Sequence, residues 1–210
     1  MRLLLIRHGE TSANAEGRLQ GHLDVSLSER GRGQSEQLAE RVLHLSLGAL
    51  YTSPLKRARE TADIIAGRNG LTPEDRPALM ERNVGELAGL NREEIRARYP
   101  DFVRARAEAR PEVAVPGFES DADLKQRVLD SLGAIIESHP AQTIGVVTHG
   151  GVIAAFLRET LQMPTTRPGA FAVSNASITT FDVREGERSD GNRPRVILIS
   201  LNDTCHLDGV

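Results

Sequence analysis

Short apolar runs alternate with longer amphipathic segments along this chain, and the alternation predicts strands and helices in turn. The short runs predict strands at Leu3–Ile6, Ala49–Thr52, Thr143–Val147, Ser177–Val183 and Val196–Leu201. The amphipathic segments predict helices over about Ser28–Leu45, Pro54–Gly67, Asp121–Ser138 and Gly151–Leu161. Strands that alternate with helices are typical of an α/β protein with a mainly parallel sheet.

A polar segment rich in arginine and glutamate separates the two halves of this pattern. The segment runs from Arg92 to Arg110 and also predicts helix. We interpret residues 90–117 as a small helical lid insertion over the strand ends, so that residues 1–210 form one domain. The stretch from Gly186 to Pro194 predicts a charged, solvated turn.

Composition excludes several classes of protein. The 210 residues are 39% hydrophobic and 26% charged, which is typical of a soluble globular protein. A net charge of −3 argues against a nucleic-acid-binding protein, so an anion site here must depend on locally focused charge. Apolar segments are too short for a membrane span or a signal peptide. Cys205 is the single cysteine, which excludes an intrachain disulfide, and a cytoplasmic location is expected.

Candidate chemistry begins where the first predicted strand ends. The strand runs directly into Arg7, His8, Gly9 and Glu10. Ligands bind at the carboxyl ends of strands in α/β proteins, so a cation and a nucleophilic imidazole stand at a ligand-binding edge. We expect Gly9 to let a ligand approach the backbone. The alternative is an ordinary strand end with a solvated arginine and a hydrogen-bonded histidine.

A second candidate segment follows the strand Ala49–Thr52. Ser53 and Pro54 predict a helix start, with serine as the cap and proline in the first helical position. The backbone N–H groups at such a start favour an anion, which Arg57 in the first turn could also reach. A capped helix with surface arginines is the alternative.

A third candidate segment repeats the arrangement around His8. Thr148, His149, Gly150 and Gly151 lie between an apolar strand and a predicted helix. A lone histidine here could simply be a helix-start residue, but two imidazoles at the ends of two strands are not expected by accident.

These segments carry a resemblance to a known family. Arg7-His8-Gly9-Glu10 after an N-terminal strand resembles the signature of the histidine phosphatase superfamily, which includes the phosphoglycerate mutases. The stretch Ser-Pro-Leu-x-Arg-Ala-x-x-Thr-Ala from Ser53 is similar to the second family motif, in which the residue matching Arg57 holds the phosphoryl group. His149 resembles the second catalytic histidine. Glu81, in Glu-x-x-x-Gly-x-x-x-Gly, resembles the proton donor.

The resemblance implies a fold, a phosphate pocket and a reaction. The fold is a three-layer α/β/α sandwich. The pocket residues that match the family are Arg7, Asn14, Gln20, Gly21, Arg57, His149 and Gly150. The implied reaction forms a phosphohistidine on His8, with Glu81 first as acid and then as base for water. The sequence offers no metal-ligand spacing, so arginines are expected to replace a metal ion and no cofactor is expected.

Three functions stay open at this point. A phosphatase that acts on a small phosphorylated metabolite is favoured, because Pro116-Gly117-Phe118-Glu119-Ser120 and His149-Gly150-Gly151-Val152 are close to that branch. A cofactor-dependent phosphoglycerate mutase is the first alternative, since Glu81-Arg82 looks mutase-like, although the adjacent arginine pair of mutases is missing between Asn91 and Asp121. A catalytically inactive binding module is the second. The sequence leaves the choice between a monomer and a homo-oligomer open.

Overall fold

The computed structural model describes residues 1–108, 113–163, 171–184 and 194–208. Within these ranges, the strands form one six-stranded sheet in the order β3-β2-β4-β1-β5-β6. The strands are β1 (Arg2–Arg7), β2 (Ala49–Thr52), β3 (Glu74–Asp75), β4 (Thr143–Thr148), β5 (Ile178–Arg184) and β6 (Arg195–Asp203). Strands β3, β2, β4 and β1 are mutually parallel, whereas β5 runs antiparallel to both of its neighbours.

Helices cover both faces of the sheet. They are α1 (Ser12–Ala15), α2 (Glu29–Leu43), α3 (Lys56–Asn69), α4 (Arg92–Arg98), α5 (Pro100–Ala107), α6 (Asp121–Ser138) and α7 (Gly150–Thr160). Because side chains alternate along a strand, Leu3 and Leu5 of β1 pack toward α6 and α7. Leu4 and Ile6 pack toward α2 and α3. The predicted three-layer α/β/α sandwich with a mainly parallel sheet is therefore confirmed.

The predicted strands and main helices are confirmed, with ends that differ by at most two residues. The predicted helix Asp121–Ser138 has the observed bounds of α6, because the Ser120 side chain caps it by accepting from Asp123 N. Two short elements, α1 and β3, have too few residues to give a periodic signal. No helix in the described parts of the chain is long and apolar enough to cross a membrane.

The predicted start of the helix after β2 is wrong. Leu55, rather than Ser53, is the N-cap of α3, and it makes no side-chain cap. The Ser53 hydroxyl accepts from Leu55 N at 3.3 Å, and Asp24 Oδ1 accepts from Lys56 N at 2.8 Å. Because these N–H groups are already bonded, they are not the anion donors that the Ser53-Pro54 pattern suggests.

The insertion forms two helices instead of one. Helix α4 ends at Arg98, and α5 begins at Pro100; between them, the φ of −129° and ψ of 54° at Tyr99 are not helical. The proline ring disfavours helical geometry in the residue before it, which explains the break. Both helices contribute to a small apolar cluster of Val84, Leu87, Ile95, Phe102 and Val115.

This cluster packs the insertion against the segment that follows Glu81. That the insertion acts as a lid stays a prediction. Arg110 lies outside the described residues. So does most of the turn predicted from Gly186 to Pro194, of which only Pro194 is described.

Candidate active site

The sheet topology brings the two candidate histidines together. Strands β1 and β4 are parallel neighbours in which Arg7 pairs with Thr148, so His8 and His149 leave the sheet side by side. Their ring centroids are 5.1 Å apart, and both side chains are buried. Gly150 begins α7 directly after His149, and a Cβ there would lie 3.8 Å from Arg7 Nε.

Arg57 enters the same site from α3. Its side chain is only 1% exposed, and loop carbonyls fix the guanidinium: Nη1 donates to Leu23 O and Nη2 to Gly21 O, each at 2.8 Å. Burial lowers the pKa of Arg57 to about 10, so the group stays charged at neutral pH. Ser53, which precedes α3, places its hydroxyl 2.8 Å from His149 Nε2.

Three buried nitrogens at this edge lack hydrogen-bond partners within the described residues. They are Nε of Arg7, Nε of Arg57 and Nδ1 of His149. Burial also lowers the pKa of Arg7, while the charge of Glu81 raises the pKa of both arginines and so opposes the effect of burial. Since buried polar groups are normally paired, this convergence indicates a binding site for an anion.

The His8 ring has a defined tautomer. Its Nδ1 lies 2.7 Å from Gly9 O, and a carbonyl oxygen can only accept, so Nδ1 carries the proton. Burial lowers the pKa of His8 well below its ordinary value, and the charges of Arg57 and Arg7 lower it further. The imidazole is therefore neutral at pH 7, with the lone pair on Nε2. Burial is the larger of these two causes.

Gly9 has a role different from the predicted one. A Cβ at Gly9 would lie 2.4 Å from Gly31 O and 2.8 Å from Ser35 Oγ, so the missing side chain makes room for α2 and not for a ligand. The Gly9 N–H donates to Thr61 Oγ1 at 3.1 Å, and the same hydroxyl donates to Arg57 O at 2.8 Å. Thr61 thus joins the segments that carry His8 and Arg57.

Hydrogen bonds to its carboxylate and to its backbone carbonyl hold Glu81. Its carboxylate accepts from Gly151 N at 3.1 Å and from Arg82 N at 2.8 Å. Its carbonyl accepts from Arg127 Nη2 at 3.1 Å and from His22 Nε2 at 2.7 Å. The carboxylate therefore lies at the N-terminus of α7, on the side of the site where the insertion packs.

The loop around α1 contributes Asn14 and Gln20. Asn14 Oδ1 accepts from Thr11 N at 3.2 Å and from Asn175 Nδ2 at 3.1 Å. Gln20 is buried and accepts from the Thr11 hydroxyl at 3.0 Å. Asn14 is therefore bonded to Asn175, whose amide also donates to His8 O. Gln20 is bonded to Thr11 instead and has no such direct link.

Two residues of this site have no role predicted from the sequence. Thr61 is the threonine of the motif that begins at Ser53, and it lies one helical turn after Arg57 on the buried face of α3. Asn175 lies just before β5, and its place next to a strand end is the only hint that the sequence gives. Within the described ranges, no group of three or more His, Cys, Asp or Glu side chains could hold a metal ion.

Comparisons with known proteins agree with this geometry. The chain is 38% identical over 195 residues to "Phosphoglycerate mutase-like protein 4" from Arabidopsis thaliana, which covers 89% of this chain and 81% of that protein. It is 35% identical over 212 residues to the "Metal-independent phosphoserine phosphatase" from the same plant, which covers 99% and 84%.

A solved structure shows the same likeness. The mycobacterial glucosyl-3-phosphoglycerate phosphatase in complex with VO3 superposes with a TM-score of 0.82 at 30% identity, over 96% of this chain and 98% of that one. The model of the histidine phosphatase superfamily (branch 1) matches residues 3–189. The chain therefore belongs to the histidine phosphatase superfamily.

Proposed function

We propose that this protein hydrolyses phosphate monoesters of small metabolites through a phosphohistidine on His8. One observation carries the proposal: a neutral imidazole with its lone pair on Nε2 lies beside two arginines whose buried Nε atoms lack partners among the residues that the structure describes. The relatives named as phosphatases for phosphoserine and glucosyl-3-phosphoglycerate support it.

Arg7 and Arg57 bind the phosphoryl group. Phosphoryl transfer needs mainly positioning and neutralisation of charge on the phosphoryl oxygens. Planar guanidinium groups match those oxygens, and burial strengthens the attraction. When Ser53 donates its proton to His149 Nε2, the proton of the neutral ring lies on Nδ1 and provides a third donor. Asn14 adds its side-chain amide.

The first chemical step transfers the phosphoryl group to His8. The lone pair of Nε2 attacks phosphorus, the bond from phosphorus to the ester oxygen breaks, and the leaving oxygen takes the proton of the Glu81 carboxyl. In the second step a water attacks phosphorus while the Glu81 carboxylate takes its proton. The bond from phosphorus to nitrogen then breaks, and phosphate leaves with neutral His8 restored.

This scheme runs without a metal ion, because arginines supply the positive charge that a metal would otherwise supply. The name of one relative includes the term metal-independent, which supports this part of the proposal. Dialysis against a strong chelator should leave the rate unchanged, whereas a loss that added Mg²⁺ restores would contradict it.

A phosphoglycerate mutase is the second candidate function. The name of the 38% identical relative and the Glu81-Arg82 pair favour it. The same phosphohistidine would then pass its phosphoryl group to a substrate hydroxyl in place of water. The first step is common to both functions, so the acceptor of the second step separates them.

One experiment tests both candidates. A panel of phosphorylated metabolites, including phosphoserine and phosphoglycerates, is assayed side by side for phosphate release and for phosphoglycerate isomerisation. Phosphate release that exceeds isomerisation supports the phosphatase, and the reverse result supports the mutase. His8→Ala should abolish both activities and the acid-labile phosphoprotein. His44→Ala, at the exposed end of α2, should abolish neither.

A further inference from the structure

Asn175 lies in the loop before β5 and points its amide at three oxygens of the site. Its Nδ2 is 3.1 Å from His8 O, 3.2 Å from Gly9 O and 3.1 Å from Asn14 Oδ1. All three are acceptors, because Asn14 Oδ1 already accepts from Thr11 N, which can only donate. The NH2 end of Asn175 must therefore face the site.

The bond to Gly9 O bears directly on the nucleophile. The same carbonyl accepts the Nδ1 proton of His8 at 2.7 Å, and this bond keeps the lone pair on Nε2. A carbonyl that two donors hold cannot turn away from the ring without losing both bonds. Asn175 thus fixes the backbone group that sets the tautomer and orientation of His8.

The bond to Asn14 orients a second site residue. Asn14 Oδ1 accepts from two donors, the Thr11 N–H and the amide of Asn175. Its own NH2 group must point the other way, where it can donate to an anion. Without Asn175, the Asn14 amide would lose one of the contacts that define which end faces the site.

The loop that carries Asn175 is itself fixed on both sides. Toward the site, Ala176 N donates to His8 O at 3.1 Å. On the outer side, Ser174 N donates to Asn202 Oδ1 at 2.6 Å, and the His206 ring bonds Ala176 O at 2.9 Å. The chain after β5 therefore holds Asn175 in place. A side chain fixed in this way can in turn fix the site residues to which it is bonded.

We propose that Asn175 is a positioning residue, which keeps His8 in its reactive tautomer and turns the Asn14 amide toward the phosphoryl group. Only the expected effect of Asn175 on the rate rests on the proposed function. Asn175 touches neither substrate nor Nε2 and acts through Gly9 O and Asn14.

The test combines kinetics with the tautomer of His8. Asn175→Ala removes the donor, and Asn175→Asp keeps the shape but places an oxygen against three oxygens. Phosphohistidine formation in single turnover should fall by about tenfold or more in both variants, because a hydrogen bond to a reactive group is lost. The ¹⁵N chemical shifts of the His8 ring should lose the pattern of a proton confined to Nδ1. Asn69→Asp is the matched control, since Asn69 Nδ2 donates to Ile65 O at 2.8 Å away from the site. It should change neither readout.

Unchanged ring shifts and an unchanged rate in a folded Asn175→Ala protein would overturn the proposal. If the other variants fail to fold, Asn175→Ser is measured in the same way: its single proton cannot serve both Gly9 O and Asn14 Oδ1, so unchanged shifts and an unchanged rate would overturn the proposal there too. A double variant with Asn14→Ala adds a second check: if Asn175 acts partly through Asn14, the two losses should be less than additive. Because the ring shifts are measured without substrate, they test Asn175 even where the wild type proves not to form a phosphohistidine.

Discussion

The Glu81 carboxylate occupies the space in which a side chain at Gly151 would have to lie. A Cβ at Gly151 would be 2.2 Å from Glu81 Oε1 and 3.1 Å from its Cδ, while Gly151 N donates to Oε2 at 3.1 Å. Gly151 is the second residue of α7 and is helical, so the glycine is required by this contact and not by its backbone conformation. The second glycine after His149 thus makes room for the proposed proton donor.

Gly151→Ala should lower activity without lowering stability. Alanine is a better helix former than glycine by about 1 kcal/mol, and the clash falls on the flexible end of the Glu81 side chain, which can move aside. Displaced Glu81 no longer reaches the leaving oxygen, so single-turnover phosphohistidine formation should fall by at least about tenfold. Gly133→Ala in α6, where a Cβ meets nothing within 4 Å, should keep the full rate. Full activity in Gly151→Ala would show that the Glu81 position is not critical.

Thr61 should prove necessary through its hydroxyl and not through its shape. Thr61→Val keeps the volume but leaves Gly9 N, which now donates to Thr61 Oγ1 at 3.1 Å, without its acceptor. A buried unpaired group of this kind costs about 1–3 kcal/mol in the free energy of unfolding. The rate should fall as well, because the hydroxyl joins the segments of His8 and Arg57.

Thr61→Ser is the matched control, since it keeps the hydroxyl and removes only a methyl group. Urea unfolding and single-turnover rates measured on both variants decide the point. Equal losses in Thr61→Ser and Thr61→Val would assign the effect to packing.

The protein should lose stability as the pH falls from about 6.5 toward 5. Burial is the first cause that lowers the pKa of both His8 and His149 well below 6.5, with Arg57 and Arg7 acting in the same direction. The unfolded chain therefore binds more protons than the folded chain below that pH, so stability rises with pH there and is fully present above it. Each buried histidine changes the free energy of unfolding by up to about 1.4 kcal/mol per pH unit.

Urea unfolding at several pH values measures the slope of the free energy of unfolding against pH. His149→Gln should flatten the slope between pH 5 and 6.5, because it removes one of the two buried rings. Carboxylates titrate mainly below this window, so they do not obscure it. A stability that is flat across the window in the wild type would contradict the neutral, buried state of the two rings.

The sequence predicts the parts of this structure that depend on local periodicity and strand ends. Apolar runs locate β1 and β4, so the meeting of His8 with His149 follows from their parallel pairing. Local periodicity does not predict contacts between segments that are far apart in the sequence. Asp24 caps α3 across 32 residues, and Asn175 reaches His8 across 167. The break between α4 and α5, by contrast, can be predicted from the sequence, because Pro100 itself disfavours helical geometry in the residue before it.

Glu81 is the residue whose proposed role can be tested most sharply, because proton donation depends on the leaving group. An alkyl alkoxide needs a proton as its bond to phosphorus breaks, whereas a nitrophenolate scarcely does. Glu81→Gln preserves size and can still accept from Gly151 N, but it carries no transferable proton. Phosphohistidine formation from alkyl phosphates should therefore fall by about 10²–10⁴-fold, and formation from p-nitrophenyl phosphate should fall far less.

Single-turnover measurements isolate this first step from the second role of Glu81 on water. Glu159→Gln, which removes an exposed carboxylate paired with Lys125, is the matched control and should leave both substrates unaffected. Equal losses for the two substrates in Glu81→Gln would mean that Glu81 only shapes the pocket. The proton would then have to come from another group, and His149, whose ring centroid lies 5.1 Å from that of His8, would be the next to substitute.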